Sequence, residues 1–199
     1  VQVALTWDEW PRAVSDLDLY LLDGEGAVVA VSRSEQSGDA PPTEFISYFA
    51  ERGGYTVRVH ARRARSPVMV EIFSLNQELR PHVPQSSILA PGNAAEVFTI
   101  GAISIGNWYT GPQQPYSSQG PTNDGRLKPD VAGLDGVTNF VFPVFFGTSA
   151  AAAHVGGGAA LLLAQARKRG QELGPQELKE LLLRWAVDMG NPGPDPVYG

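Results

Sequence analysis

The sequence predicts an all-β unit, a small sandwich, followed by part of an α/β unit with a parallel sheet. Over the first ninety residues, short runs rich in β-forming residues alternate with turn clusters at regular spacing. After residue 96, longer apolar runs are followed by two segments with helical periodicity. The chain has 199 residues, a length that suits one large domain or two small ones. We therefore divide it into units 1–90 and 91–199.

Six strands are predicted in the first unit. Turn clusters such as Asp23-Gly24-Glu25-Gly26 and Arg52-Gly53-Gly54 separate them, and their glycines supply the positive φ angles that tight turns need. A small antiparallel sandwich buries one face of each strand with few elements. The predicted strands are Val1–Trp7, Leu17–Asp23, Val28–Ser32, Glu44–Ala50, Tyr55–Ala61 and Val68–Leu75.

The second unit follows residues 76–96, a stretch that contains several prolines and lacks periodicity. Beyond it, Val97–Ile103 and Asn139–Phe146 are mainly apolar and are predicted to be strands buried on both faces. Helices are predicted over Ser149–Arg169 and Pro175–Val187. The second helix has one apolar face, which we expect to cover the sheet. Its apolar residues are Leu178, Leu181, Leu182 and Trp185.

The composition excludes several classes of partner. The formal net charge is −6, so the chain lacks the basic face that neutralises phosphates, and we expect no nucleic-acid partner. No apolar run approaches the roughly 20 residues that cross a bilayer, so no membrane partner is expected. The chain has no cysteine, which leaves neither disulfides nor thiolate metal sites. Because Val1 already opens a strand-like pattern, we expect the chain to begin inside a longer polypeptide.

Residues 146–158, with the sequence FGTSAAAAHVGGG, carry the most specific signal. Ser149 stands in the first turn of a helix built mostly from small residues. The N–H groups and the positive dipole end of a helix N-terminus can stabilise an oxyanion on an attacked carbonyl. The simpler role for Thr148 or Ser149 is an N-cap. Gly156 to Gly158 disfavour a helix by about 1 kcal/mol each, so we expect the helix centre to be buried against a neighbour.

This segment resembles the nucleophile motif of the subtilase family, which has the form Gly-Thr-Ser-x-Ala-x-Pro-His-Val-Ala-Gly at the head of a buried helix. Ser149 takes the place of the catalytic serine. With four further segments in the family's order, the resemblance covers about residues 94–199. Those segments are Thr99–Ala102, Tyr116–Pro121, Asp124–Val131 and Gly193–Gly199.

The resemblance implies the C-terminal half of a subtilisin-like serine endopeptidase domain with a polypeptide substrate, an extracellular or secreted location and no cofactor. In that family the serine attacks a peptide carbonyl and water releases the acyl-enzyme. Two substitutions depart from the motif, because Ala153 replaces the proline and Gly156 an alanine. Residues 132–136 also lack the usual Ala-Pro-Gly, which leaves the structure of that stretch open. Residues that bind substrate stay unassigned.

The catalytic partners of Ser149 are missing from this chain. A serine hydroxyl needs a base that is itself oriented by a third group. The family's Asp-(Ser/Thr)-Gly, His-Gly-Thr and Ala-Gly-Asn contexts do not occur here, and Asn93 lies too close to the Thr99 strand to match the last. We therefore expect the chain alone to be inactive and the missing N-terminal half of the peptidase domain to be its partner.

None of the three histidines is predicted to replace the missing base. On a helix, His154 is rotated about 140° from Ser149 and lies about 7.5 Å further along the axis, so we expect a structural role. His60 falls in a predicted strand and His82 in the proline-rich crossover, where packed or solvated histidines are the rule.

The first unit resembles the jelly-roll-type accessory modules that some subtilases insert ahead of the Thr-Val-Gly-Ala strand, notably at Trp7-Asp8 and over 16–23. Asp16, Asp18 and Asp23 could supply oxygen ligands to a structural calcium ion, although solvated carboxylates are commoner. The alternative function is a non-catalytic protein-binding module joined to a vestigial protease half.

Overall fold

The computed structural model describes residues 1–64 and 67–199 and divides the chain into two compact units, Val1–His82 and Val83–Gly199. This division falls inside the proline-containing crossover. The sequence predicts the boundary after residue 90. The assignment of residues 1–90 to an accessory module and of residues 91–199 to a catalytic segment stays a prediction.

The first unit contains two three-stranded antiparallel sheets, with strand orders β4-β1-β6 and β3-β2-β5. Each of the predicted strands overlaps one observed strand. The strands are β1 Gln2–Trp7, β2 Asp16–Leu22, β3 Val28–Ser32, β4 Thr43–Ser47, β5 Thr56–Arg63 and β6 Val70–Ser74.

The core of the first unit comes from the alternation of side chains along its two central strands. Buried residues of β1 and β2 belong to one hydrophobic cluster, which also takes in Ile46 of β4. Both sheets therefore contribute to the same core, whereas a jelly-roll topology stays a proposal. The main buried members are Val3, Leu5, Trp7, Leu17, Leu19 and Leu21.

The second unit is mixed α/β. Strand β7, Ile100–Ser104, pairs in parallel with β8, Val131–Asp135, and Ile100 lies opposite Val131. Helix α1 spans Thr148–Lys168 and contacts both strands, and α2, Pro175–Arg184, contacts α1. These helices confirm the two predicted from periodicity.

One predicted strand of this unit is wrong. Residues 139–146 form a loop with one isolated bridge, at Phe145, instead of a buried strand, and Phe140 is fully exposed. The Asn139 side chain accepts the Val141 and Phe142 N–H groups at 2.8 and 2.7 Å, which turns the chain, and a proline follows directly. Strand β8 instead forms over the stretch whose structure the sequence left open.

The centre of α1 is not buried in this chain, contrary to the prediction. Its buried residues are Ala150, Ala151 and Ala166, and nothing lies within 4 Å of the Cβ positions of Gly156 to Gly158. Close approach occurs one turn earlier, where a Cβ on Gly133 of β8 would lie 2.7 Å from the Ala151 carbonyl oxygen.

Helix α2 lies with its leucine face only half-buried. Leu178, Leu181 and Leu182 are intermediate in exposure, and Trp185, predicted on the covered face, is exposed. Glu177 accepts the Gly174 N–H at 2.8 Å and fixes the start of the helix. Across the described residues, no helix has the length and apolar character of a membrane span.

Candidate active site

Ser149 is the second residue of α1 and is exposed. Gly147 caps the helix with φ 114°, a conformation that glycine adopts without strain. The Ala150 and Ala151 N–H groups both donate to the Gly147 carbonyl oxygen, at 2.9 and 3.2 Å. The first-turn donors not used within the helix are therefore those of Thr148 and Ser149.

This arrangement can act on a carbonyl group. A hydroxyl and a backbone N–H from the same residue point out of the start of a 21-residue helix, whose dipole favours negative charge there. An oxygen that becomes anionic during attack by Ser149 Oγ can accept the Ser149 N–H. The Ser149 side chain has no hydrogen-bond partner among the described residues, so nothing in this part of the chain activates it.

A loop that is closed by a backbone bridge connects β8 to the start of α1. After β8, Gly136 turns the chain with φ 69°, and Val137 pairs with Phe145 through N···O distances of 3.2 and 2.7 Å. The residues between the paired positions expose several large apolar side chains: Phe140, Val141, Phe142 and Val144.

Asp135, which the sequence analysis missed, lies directly behind this turn. It is the last residue of β8 and has no exposed surface. Its carboxylate accepts the Gln114 side-chain amide at 2.7 Å, the Gly147 N–H at 3.0 Å and the Tyr116 hydroxyl. A lone acid in the apolar stretch 131–137 was the available sequence signal.

The electrostatics of this cluster follow from burial and hydrogen bonding. Burial opposes ionisation of Asp135, but the hydrogen bonds from Tyr116, Gln114 and Gly147 outweigh it and hold the pKa of the carboxyl below its usual value. Burial, then the hydrogen bond and charge of Asp135, raise the pKa of Tyr116 to about 12. The carboxylate is thus charged and the phenol neutral at neutral pH.

Among the described residues, no hydrogen bond joins a histidine to Ser149. His154 Nδ1 is 3.0 Å from the Ala150 carbonyl oxygen of its own helix, a local contact. His60 belongs to the first unit, where its Nδ1 lies 3.4 Å from Asp18 Oδ2. His82 is the last residue of that unit.

The three candidate calcium ligands do not converge. Asp16 and Asp18 lie on β2, whereas the Asp23 carboxylate accepts the Glu25 and Ala27 N–H groups at 3.0 and 2.9 Å in the turn that follows. At about 3.3 Å per residue, the strand separates Asp23 from Asp16 by about 23 Å. In the part of the chain that the structure describes, no group of three or more acidic, histidine or cysteine residues could hold a metal ion.

The second unit also contains an apolar cavity of about 580 Å³, which Ser149 does not line. Its lining includes Ile103, Leu134, Leu183 and Tyr198 but no residue from 139 to 158. It therefore does not provide a substrate pocket next to Ser149.

The structure thus places an exposed serine directly after a glycine cap, at the head of a long helix. A family model described as the subtilase family matches residues 76–199. The chain therefore belongs to the subtilase family and contains a segment of a subtilisin-like peptidase domain. Comparisons with curated proteins and with solved structures found no match.

Proposed function

We propose that this chain is the nucleophile-bearing segment of a serine endopeptidase and that Ser149 is its catalytic serine. The observation that carries the proposal is the exposed Ser149 at the second position of α1, with the N–H groups of Thr148 and Ser149 unused by the helix, in a subtilase segment. The Gly-Thr-Ser motif sits at the predicted start of the helix, with the side chain accessible to a polypeptide.

The reaction has two covalent steps. Ser149 Oγ bonds to the carbonyl carbon of the substrate while its proton passes to a base, and the Ser149 N–H stabilises the oxyanion. The C–N bond then breaks, and the base returns the proton to the leaving amine. Water attacks the resulting ester by the same route and restores the serine hydroxyl.

The base and its orienting carboxylate come from a second polypeptide segment, the N-terminal half of the peptidase domain. An apolar groove of about 300 Å³ supports this part of the proposal, because it lies open between β7, α1 and α2. Covering such a groove removes apolar surface from water, which favours association. Its lining includes Phe98, Ile100, Val155, Leu178 and Leu182.

The proposal is tested by labelling with a fluorophosphonate probe, with the modified residue located by mass spectrometry. The chain alone, the natural gene product that contains it and the Ser149→Ala variant of that product are compared. We expect labelling of Ser149 in the natural product, at least about 10³-fold slower labelling of the chain alone, and none of the variant.

Ser118→Ala is a suitable control, because it removes a serine hydroxyl from another family-like segment of the same unit. It should label like the wild type. If no form of the protein is labelled at Ser149, the endopeptidase proposal fails and the non-catalytic protein-binding module becomes the better explanation.

The secreted location implied by the family belongs to the same proposal. Fractionation of the producing cells, with immunodetection of the natural product in the medium, tests it. Retention of all of the protein inside the cells would contradict it.

A further inference from the structure

We propose that Asp135 is a positioning residue for Ser149, holding the turn that carries the serine from the end of the neighbouring strand. This inference rests on the proposed function of Ser149. It concerns a residue outside the Gly-Thr-Ser motif, 14 positions ahead of the serine along the chain.

The N-terminus of α1 is held by a backbone contact in place of a side-chain cap. A helix N-terminus usually gains a hydrogen bond from the side chain of its N-cap residue, but Gly147 has none and no side-chain cap bond is present. A residue with a side chain would be strained there, because φ is 114°. The Gly147 N–H instead donates to Asp135 Oδ2 at 3.0 Å.

Asp135 is itself held in place by its strand. Asp135 ends β8 opposite Ser104 of β7, and its own carbonyl oxygen accepts the Ile105 N–H at 2.9 Å. The close contact of Gly133 with Ala151 sets the spacing between β8 and α1. The carboxylate therefore projects from a strand that β7 holds along one edge and α1 contacts on one face.

Hydrogen bonds also fix the orientation of the Asp135 carboxylate. Gln114 donates to Oδ1 at 2.7 Å, and the Tyr116 hydroxyl donates to Oδ2, the oxygen that also accepts the Gly147 N–H. Three donors on a fully buried carboxylate restrict its rotation and favour its charged form. A negative charge at this place also complements the positive end of the α1 dipole.

Together these contacts determine where Ser149 Oγ and the Ser149 N–H lie, two residues after the anchored Gly147 N–H. A displacement of about 1 Å in a catalytic group can cost on the order of 10²-fold in rate. Asp135→Asn keeps the size of the side chain but replaces one acceptor oxygen by a donor. The amide oxygen can accept two of the three hydrogen bonds, but without the negative charge each of them is weaker, so the turn is held less firmly.

The test uses the natural gene product and two measurements. Fluorophosphonate labelling gives the saturating rate constant and the half-saturating probe concentration. Amide hydrogen exchange gives the protection of Gly147 to Ala150. For Asp135→Asn we expect a saturating rate constant lower by about 10- to 100-fold, an unchanged half-saturating concentration and faster exchange over these residues, with β7 still protected.

Asp124→Asn is the matched control, because Asp124 is an exposed aspartate of the same unit. It should match the wild type in both measurements. Wild-type rate constant and wild-type exchange in Asp135→Asn would overturn the positioning role. If the wild type itself is never labelled, the proposed function fails, and the exchange of Gly147 to Ala150 still decides whether Asp135 holds the turn.

Tyr116→Phe provides a second variant in case Asp135→Asn loses the protection of β7. It removes one of the three donors and keeps the carboxylate and the Gly147 hydrogen bond. We expect changes in the same direction and smaller than for Asp135→Asn. If Asp135→Asn unfolds the unit and Tyr116→Phe leaves both measurements unchanged, the positioning role is also rejected.

Discussion

The cluster around Asp135 shows how one buried charge can be stabilised. Removal from water alone would favour the protonated acid. Three donors from two segments of the second unit reverse this preference and keep the pKa of Asp135 below its usual value. The same interaction opposes loss of the Tyr116 proton, because a phenolate would face a carboxylate.

Titration of Tyr116 tests this electrostatic coupling. Its pKa of about 12 lies above the value of about 10 expected in the unfolded chain. The stability contributed by Tyr116 is therefore fully present below pH 10 and is lost as the pH rises through about 12. The absorbance of tyrosinate at about 295 nm, taken as the difference between wild type and Tyr116→Phe, should show this late step. Asp135→Asn should move the pKa of Tyr116 toward 10. A Tyr116 titration step near 10 in both the wild type and Asp135→Asn would refute the coupling.

The Gly-Thr-Ser motif points to Ser149, whereas no sequence pattern points to Asp135, and the difference has a physical reason. The hydrogen bonds of Asp135 join residues 12 to 21 positions apart, and no spacing rule predicts such pairs. The Gly-Thr-Ser context, in contrast, is local, and its place at the start of a helix follows from the small residues after it. The motif of the candidate site was therefore predictable from the sequence, whereas the hydrogen bonds of Asp135 behind it were not.

The pairing of β8 with α1 depends on where glycine occurs. Gly133 faces the Ala151 carbonyl and the Val155 side chain, at 2.7 and 2.9 Å from its ideal Cβ position. Gly157 is exposed and has no atom within 4 Å of that position. A side chain at position 133 would therefore clash, whereas a side chain at position 157 has free space, although Gly133 and Gly157 lie on the two elements that pack together.

Replacing each glycine by alanine tests this difference. In the chain alone, Gly157→Ala should raise the free energy of unfolding by about 1 kcal/mol, because alanine favours a helix. Gly133→Ala should lower it by about 1–3 kcal/mol through overpacking. Urea unfolding followed by circular dichroism measures both. Equal effects of the two substitutions would contradict the packing described for β8 and α1.

The Gly157→Ala substitution also tests whether the proposed second polypeptide segment covers the centre of α1. If that segment covers the centre of α1, an alanine at Gly157 meets a neighbour in the natural gene product, and the substitution becomes destabilising there. A gain of about 1 kcal/mol in both forms would show that this face stays uncovered.

Elements were predictable where local preference and packing agree. The alternating strands of the first unit and both helices follow from periodicity. The structure of residues 132–136 was left open because they lack the family's Ala-Pro-Gly, and the pairing of β8 with β7, which no local pattern predicts, decides it. The apolar run 139–146 fails as a strand because Asn139 turns the chain, a side-chain contact that a count of apolar residues does not include.

At the scale of the whole molecule, each unit has its own interior. The buried cluster centred on β1 and β2 consists only of residues from the first unit. Units of one chain that have separate cores can unfold with separate free energies. A core substitution in the first unit is therefore expected to act there alone.

Leu19→Ala tests this independence, because Leu19 has no exposed surface and belongs to that cluster. We expect the first unit to lose about 2–5 kcal/mol of stability. Hydrogen exchange should show faster opening of β1 and β2 with unchanged protection of β7 and β8. Val31→Ala, at an exposed position of β3, should change stability by no more than about 0.5 kcal/mol. Loss of protection in β7 and β8 would reveal coupled unfolding.

The bridge between Val137 and Phe145 has a consequence for how this surface can vary. Because the chain is already tied at the bridge and again at Gly147, residues 138–144 form a module whose ends are fixed independently of its contents. We therefore expect insertions or exchanges within it to change the exposed surface of the loop without displacing Ser149. Evolution and protein engineering can both use such a segment as an interchangeable part.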